Sequence, residues 1–221
     1  DLASSVIFSA GMNPRLYGYI AHFDDFFPDV NGYIKKKIIL KVSDYRSAII
    51  QGKFLAKKGL WISEYRIESG LNCGGHAFAT DGYLMGPILA EFRDRRQELV
   101  DELYAICKPA LEANGKVVPN NTLAVTITAQ GGVATAEEHD FLIDHYKLDT
   151  VGWGTPFLLV PEATTVDKAT MKQLQEAKEK DLYLSNVSPL GVPFNNLRNS
   201  SKDVEKFQKI EEGKPGSPCP R

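Results

Sequence analysis

The chain has little net charge and no long apolar run, and both absences exclude classes of protein. Its 26 basic and 28 acidic residues leave a formal charge of −2 over 221 residues, which argues against a nucleic-acid-binding surface, where a basic face is expected. Two local basic clusters, at 35–37 and 93–96, are more typical of solvated faces. No stretch approaches the roughly 18 consecutive apolar residues that predict a membrane-spanning helix, so no membrane partner is expected.

Cysteine is also scarce, and its placement favours a reduced protein. The three cysteines have no metal-ligand spacing and leave one unpaired in any disulfide scheme, so we expect a cytoplasmic protein. The four histidines do not cluster with carboxylates, and the sequence therefore predicts no metal site. We interpret His139 and His145 as solvent-facing or packing residues. The cysteines are Cys73, Cys107 and Cys219.

Apolar runs alternate with helical patterns along most of the chain. The run at 38–42 is broken only by Lys41, which is typical of a strand covered on both faces. Ser43 or Asp44 then caps a helix that reaches about Lys58. Further strands are predicted at 61–67, 122–128 and 150–153, with weaker ones at 6–10 and 182–187. Further helices are predicted at 83–114, bent or broken near Pro109, at 136–146 after a Thr135 cap, and at 167–180.

This alternation predicts an α/β protein with a parallel sheet. The Gly-x-Gly-x-x-Gly fingerprint of a dinucleotide-binding fold is absent, and the glycine motifs follow late, successive strands, which favours a parallel (β/α)8 (TIM) barrel. Four clear strands and two weak ones fall short of eight, so we expect only the later strands and helices of the barrel, in a piece of a longer polypeptide. The predicted barrel portion is 1–194, and 195–221 is predicted as a polar tail or linker.

Three glycine motifs each follow a predicted strand, at 71–76, 129–133 and 151–155. A glycine pair lets backbone N–H groups approach a ligand without a Cβ in the way. The second and third motifs are separated by about one helix and one strand, so both should emerge at the same rim and form a phosphate cradle. The N-terminus of the helix that begins near Ala134 would add its dipole. The alternative is that both are simple tight turns.

The first motif, Cys73-Gly74-Gly75-His76, brings a titratable group to the same rim. Neutral near pH 7, His76 could donate, accept or shuttle a proton, or it could cap local carbonyl groups. Cys73 could be a nucleophile or a small buried residue, and nothing in the sequence lowers its pKa. Glu68 and Asn72 flank this turn and could bond a ligand or the loop itself.

Lys41 interrupts an apolar strand, which is costly unless its ammonium reaches a partner at the strand end. The partner could be an anionic flavin or phosphate, or the side chain could extend to a carboxylate.

Together the three motifs resemble those of nitronate monooxygenases, the 2-nitropropane dioxygenase-like proteins. Residues 68–76, Glu-Ser-Gly-Leu-Asn-Cys-Gly-Gly-His, resemble the Gly-x-Glu-Ala-Gly-Gly-His turn of that family. Residues 129–133 are similar to its Ala-Ala-Gly-Gly-Ile phosphate loop, and residues 151–157 to its Val-Gln-Met-Gly-Thr-Arg-Phe strand. The likeness runs from about residue 38 to 163. More broadly, it extends to the late part of FMN-dependent barrels of the glutamate synthase and IMP dehydrogenase types.

The resemblance implies an FMN-dependent barrel oxidoreductase that acts on a small organic substrate. It implies that His76 lies close to the isoalloxazine as a base or polar contact, and that Lys41 lies near the polar edge of the ring. Two other hypotheses remain: a non-redox barrel lyase or isomerase that binds a phosphorylated substrate, with Lys41 as a Schiff-base residue, or a catalytically silent module that binds a nucleotide or another part of a longer chain. The cofactor-binding set is Lys41, Gly74, Gly75, Gln130, Gly131, Gly132, Gly154 and Thr155.

Overall fold

A computed structural model describes residues 2–9, 11–68, 85–131, 133, 135–153, 167–185 and 194–216. The chain divides into two compact units, 1–153 and 154–221. The predicted boundary at residue 194 stays a prediction, because residues 154–166 and 186–193 lie outside the described part.

The first unit is built on a sheet of five parallel strands that lie side by side in chain order. Each neighbouring pair is parallel, so every connection crosses over to the next position, as in successive βα units. The predicted α/β class with a parallel sheet is therefore confirmed. The strands are β1 (Ser4–Phe8), β2 (Lys36–Val42), β3 (Ile62–Glu68), β4 (Thr126–Gln130) and β5 (Thr150–Gly152).

Five described helices belong to the same unit. Their starts follow the predicted caps: Asp44 accepts a hydrogen bond from the Ser47 amide at 2.6 Å, and Thr135 caps the helix after β4. The helices are α1 (Pro14–Ile20), α2 (Tyr45–Ala56), α3 (Met85–Asp94), α4 (Arg96–Ala113) and α5 (Ala136–Tyr146), and a short 3-10 turn covers Asp24–Phe26.

The apolar core lies on one face of the sheet. Along β2, Ile38, Leu40 and Val42 are fully buried, while the residues between them point to the opposite face because side chains alternate along a strand. Helix α4 contributes a buried stripe at every fourth residue, which is the spacing of one helical face. Its members are Leu99, Leu103, Cys107 and Leu111.

The predicted break in the long helical segment is real, but its position near Pro109 is wrong. Helix α4 continues through Pro109, since its buried stripe extends on both sides of the proline. The break lies at Arg95, whose guanidinium bonds carboxylates of the preceding and following turns and lies 4.1 Å from the Tyr45 ring centre. The Tyr45 hydroxyl donates to the Arg95 carbonyl at 3.2 Å. Tertiary contacts, which no local pattern encodes, therefore fix the break.

The strand predicted at 122–128 begins later than expected, at Thr126. Leu123 and Val125 are nevertheless buried, which explains why the apolar pattern begins before the strand does.

In the second unit, two short strands form an antiparallel pair, β6 (Leu182–Ser185) and β7 (Phe194–Leu197). A last strand was predicted at 182–187, but it belongs to this separate pair and not to the parallel sheet. Leu182 is 38% exposed, which does not suit a strand covered on both faces. The described helices here are α6 (Lys168–Glu176), capped by Asp167, and α7 (Ser201–Glu211). Helix α7 and most of β7 lie within the predicted tail, 195–221.

Candidate functional site at the carboxyl edge of the sheet

The two glycine-bearing strands β4 and β5 end side by side. Gln130 pairs with Gly152 in register, and the Gly131 N–H donates to the Gly152 carbonyl at 3.1 Å. The described ends of the two strands are thus neighbours, as the spacing of the motifs predicts. Parallel strands place the binding loops of barrel enzymes at this carboxyl edge.

Gly131 contributes the turn at this rim. Its φ of +84° lies in the left-handed region, which only glycine adopts readily. Because its N–H is already bonded to β5, amides that could hold a phosphate must come from neighbouring residues. Gly132, Gly154 and Thr155, predicted for that role, lie outside the described residues.

The side chain of Gln130 lies over Gly152. A Cβ built on Gly152 would overlap the Gln130 carboxamide. Glycine at 152 therefore makes the space that the glutamine side chain fills.

Lys41 and Glu68 meet at the ends of β2 and β3. The Lys41 Nζ lies 3.0 Å from the Glu68 Oε2, with side chains 30% and 12% exposed. The carboxylate considered as a partner for Lys41 is therefore present, and the contact with a flavin or phosphate stays a prediction. The pair satisfies the lysine that interrupts the apolar run, and it places a charged donor at the rim.

A second ionic cluster lies further back on the same face of the sheet. Arg66 bonds Glu64 at 2.9 Å, and the Thr128 hydroxyl donates to the same carboxylate at 2.8 Å. Two neighbouring strands, β3 and β4, thus carry linked polar side chains on the face opposite the core. This face can contact a polar molecule without leaving buried charges unpaired.

The N-terminus of α5 is closed by its own side chains. Thr135 and Glu138 form a reciprocal capping box, in which each side chain bonds the other residue's backbone N–H. Glu137 adds a second carboxylate in the first turn. The box occupies two of the amides that the helix offers, and the carboxylates oppose an anion. The predicted dipole contribution to phosphate binding is correspondingly reduced.

Trp153 links the end of β5 to α5. Its indole N–H donates to the His139 Nδ1 at 3.0 Å, so the neutral imidazole carries its proton on Nε2. His145 is exposed and stacks on Phe141 at 4.9 Å between ring centres. Both histidines therefore pack or face solvent, as predicted. The indole contact was not predicted, since the sequence shows no signal that pairs residues 139 and 153.

The first glycine motif lies outside the described residues. This covers Cys73, Gly74, Gly75, His76 and also Asn72. Their predicted roles stay predictions.

The other features of the described chain do not compete with this rim. A cavity of about 360 Å³ lies at the opposite, amino edge of the sheet; of its two charged lining residues, Lys37 and Glu64, the second is already bonded to Arg66. Burial raises the pKa of the Cys107 thiol to about 12, which leaves it unreactive at neutral pH.

Among the described residues, no group of histidine, cysteine and carboxylate side chains could hold a metal ion. No described helix has the length and apolarity of a bilayer span.

Comparison with known proteins finds solved structures that match this chain, but no family model and no curated protein. No protein-family model matches the chain, and no curated protein matches it either. Solved structures do match: the enoyl reductase domain of MlnA, from the macrolactin biosynthesis cluster of Bacillus amyloliquefaciens, has a TM-score of 0.53 and 15% identity over 95% of this chain and 48% of that one. A FabK mutant from Thermotoga maritima has a TM-score of 0.48 and 14% identity over 95% and 51%.

The chain thus spans about half the length of the solved structures that it matches. At 15% identity, the likeness to the MlnA domain establishes a shared fold.

Proposed function

We propose that the chain is part of an FMN-dependent oxidoreductase of the nitronate monooxygenase-like barrel type, acting on a small organic substrate. The observation that carries the proposal is the rim. Three polar side chains, Lys41, Glu68 and Gln130, lie near the ends of neighbouring strands on one face, beside Gly131, which is bonded to Gly152 at the end of β5. The shared fold with an enoyl reductase domain supports it.

The span of the rim suits an elongated mononucleotide. Adjacent strands lie about 4.8 Å apart, so β2 and β5 are separated by roughly 14 Å. A ligand with its phosphate at the β4–β5 turns would reach Lys41 with its far end. Because Glu68 already balances the Lys41 charge, this end suits a polar ring edge better than a second phosphate.

Each residue has a separate task in this proposal. Lys41 donates to an oxygen or nitrogen at the ring edge, and Glu68 holds its ammonium in place. Gly131 shapes the turn, and the amides of Gly132, Gly154 and Thr155 hold the phosphate. Gly74 and Gly75 let the backbone approach the ring. His76 holds or moves a proton at the substrate; the flavin, when bound, supplies the transfer of electrons or hydride.

The ion pair argues against the Schiff-base alternative. Attack on a carbonyl requires an amine that is free to approach it, whereas the Lys41 Nζ is held in an ion pair with Glu68 at 3.0 Å. Borohydride trapping with carbonyl substrates should therefore leave Lys41 unmodified.

The test is a titration of the purified protein with FMN, followed by visible absorbance and flavin fluorescence. We expect saturable binding that Lys41→Met weakens about tenfold, since a charged hydrogen bond is lost. Lys37→Met is the matched control, because Lys37 lies on the same strand and face at the amino edge. A colourless protein that takes up no FMN would contradict the proposal.

The MlnA domain favours one substrate class among small organic molecules. Its description as an enoyl reductase points to a carbon–carbon double bond conjugated to a carbonyl group. After its bound flavin has been reduced with dithionite, the protein should pass those two electrons to the double bond of an unsaturated thioester and be reoxidised, and His76→Ala should slow that step. Equal rates in the two proteins would exclude His76 from that step, whereas no reoxidation in either protein would favour the catalytically silent module.

A further inference from the structure

Gln130 and residue 152 compete for one space at the rim. The two positions are opposite each other in the β4–β5 register, and the Gln130 carboxamide stands where a side chain at 152 would begin. A side chain at 152 would have to displace the carboxamide from this position.

The Gln130 carboxamide is half-buried, and it makes no hydrogen bond to any residue that the structure describes. Its nitrogen has two donors and its oxygen two acceptor positions. In the same row, Glu68 lies directly across from Gln130 on β3 and holds Lys41. Among the described residues, the carboxamide thus has no hydrogen-bond partner, and it lies between the Lys41–Glu68 ion pair and Gly152.

The motifs that these strands resemble carry the complementary pair. They have alanine at the position of Gln130 and glutamine at the position of Gly152. In this chain the large polar residue is on β4 and the small one on β5. Both sequence patterns thus contain one glutamine in this pair of positions, at 130 in this chain and at the position of 152 in the motif that it resembles.

We infer that Gln130 and Gly152 are a transposed pair, in which β4 supplies the carboxamide at this register position and this group bonds the polar edge of the bound ligand. The overlap between Gln130 and a side chain at 152 follows from the register of β4 and β5 and needs no ligand. The ligand contact rests on the proposed function, because it requires a flavin or similar ring at the rim.

Thermal unfolding of four proteins tests the shared space without any ligand. These are the unsubstituted protein, Gln130→Ala, Gly152→Gln and the double variant. Two carboxamides in one space should lower the Tm of Gly152→Gln by about 2–4 °C. In the Gln130→Ala background, the same substitution should change the Tm by less than about 1 °C. Equal shifts in both backgrounds would overturn the shared space.

Titration of the same proteins with FMN tests the ligand contact. Loss of one hydrogen bond should weaken binding about fivefold in Gln130→Ala, and the double variant should return to within about twofold of the original affinity. Thr126→Ala, on the same strand and face at the amino edge, is the control and should bind normally.

The outcomes separate the two ideas. A double variant that binds as weakly as Gln130→Ala overturns the carboxamide contact while FMN binding itself stands. An unsubstituted protein that binds no FMN removes the proposed function and the ligand contact with it, and the Tm comparison then decides the transposition by itself.

Discussion

The two faces of the parallel sheet are made by the same strands and differ in almost every property. On β2, Leu40 is fully buried against the helices, while its neighbour Lys41 belongs to the ionic face. On β3, Tyr65 and Ile67 are fully buried, whereas Glu64, Arg66 and Glu68 form ion pairs. Alternate residues of one strand thus build the apolar core and the ionic face separately. Substitutions on one face should change stability strongly, and those at the rim of the other should mainly change ligand affinity.

The largest effect is expected from the core face. Leu40→Ala should lower the free energy of unfolding by about 2–5 kcal/mol, because it opens a cavity at a fully buried position. Ile7→Ala is the control on the polar face: Ile7 is 50% exposed and its truncation should cost less than about 1 kcal/mol. Denaturant unfolding measures both. Equal losses would mean that the two faces are not distinct.

The ion pair at the rim gives the next largest change. Glu68→Gln leaves the Lys41 ammonium without its carboxylate and should cost about 2 kcal/mol, between the values for exposed and buried pairs. Adding Lys41→Met removes the isolated charge and should recover most of the loss. Urea titrations of the single and double variants give the coupling. Additive losses would show that the pair contributes no interaction of its own.

High pH should lower the free energy of unfolding through Cys107, which lies on the core face of the sheet. Its pKa is raised by burial from 9.0 to about 12 in the folded protein. Below about pH 9 the thiol is protonated in both states and the stabilisation is complete. Above that value the unfolded chain releases a proton that the folded protein keeps, so the free energy of unfolding falls by up to about 1.4 kcal/mol per pH unit.

Stability curves from pH 8 to 11 measure this slope. Tyr45, whose pKa burial also raises to about 12, should add to it. Cys107→Ala should flatten the slope while the tyrosine contribution persists. An unchanged slope in Cys107→Ala would show that this thiol does not titrate differently in the two states.

The smallest effect is expected at the start of α5, which follows β4. Thr135→Ala removes the cap of α5 and should cost about 1 kcal/mol. Hydrogen exchange should become faster in the first turn of α5, whereas α2 should be unaffected. Thr135→Ser keeps the hydroxyl and serves as the control. Uniformly faster exchange in both helices would point to global destabilisation instead of a lost cap.

Most of the parallel sheet was predictable from the sequence, because its strands carry long apolar or β-branched runs and its helices have standard caps. The strand at 38–42 and the capped starts of α2 and α5 are clear examples. What failed depended on tertiary contacts. The helix break at Arg95 depends on the Tyr45 ring from α2, and the pairing of β6 depends on β7.

The sequence predicted where the candidate site lies but not which of its residues contact each other. Glycines after successive strands predicted the common rim, which the Gly131–Gly152 hydrogen bond now documents. The sequence left Lys41 with two alternative partners, because choosing between them requires the position of β3 beside β2. The overlap of Gln130 with residue 152 follows only from the register of β4 and β5. His76 stays a prediction.

Hydrogen exchange with and without FMN tests the central claim most directly, since it reports which edge of the sheet contacts the ligand. The account predicts slower exchange at the carboxyl ends of β3, β4 and β5 and in the turns that follow them. The residues at 32–34 and 123–126, around the cavity at the amino edge, should exchange as before. Protection confined to that cavity, or no protection at any segment, would contradict a flavin site at the rim.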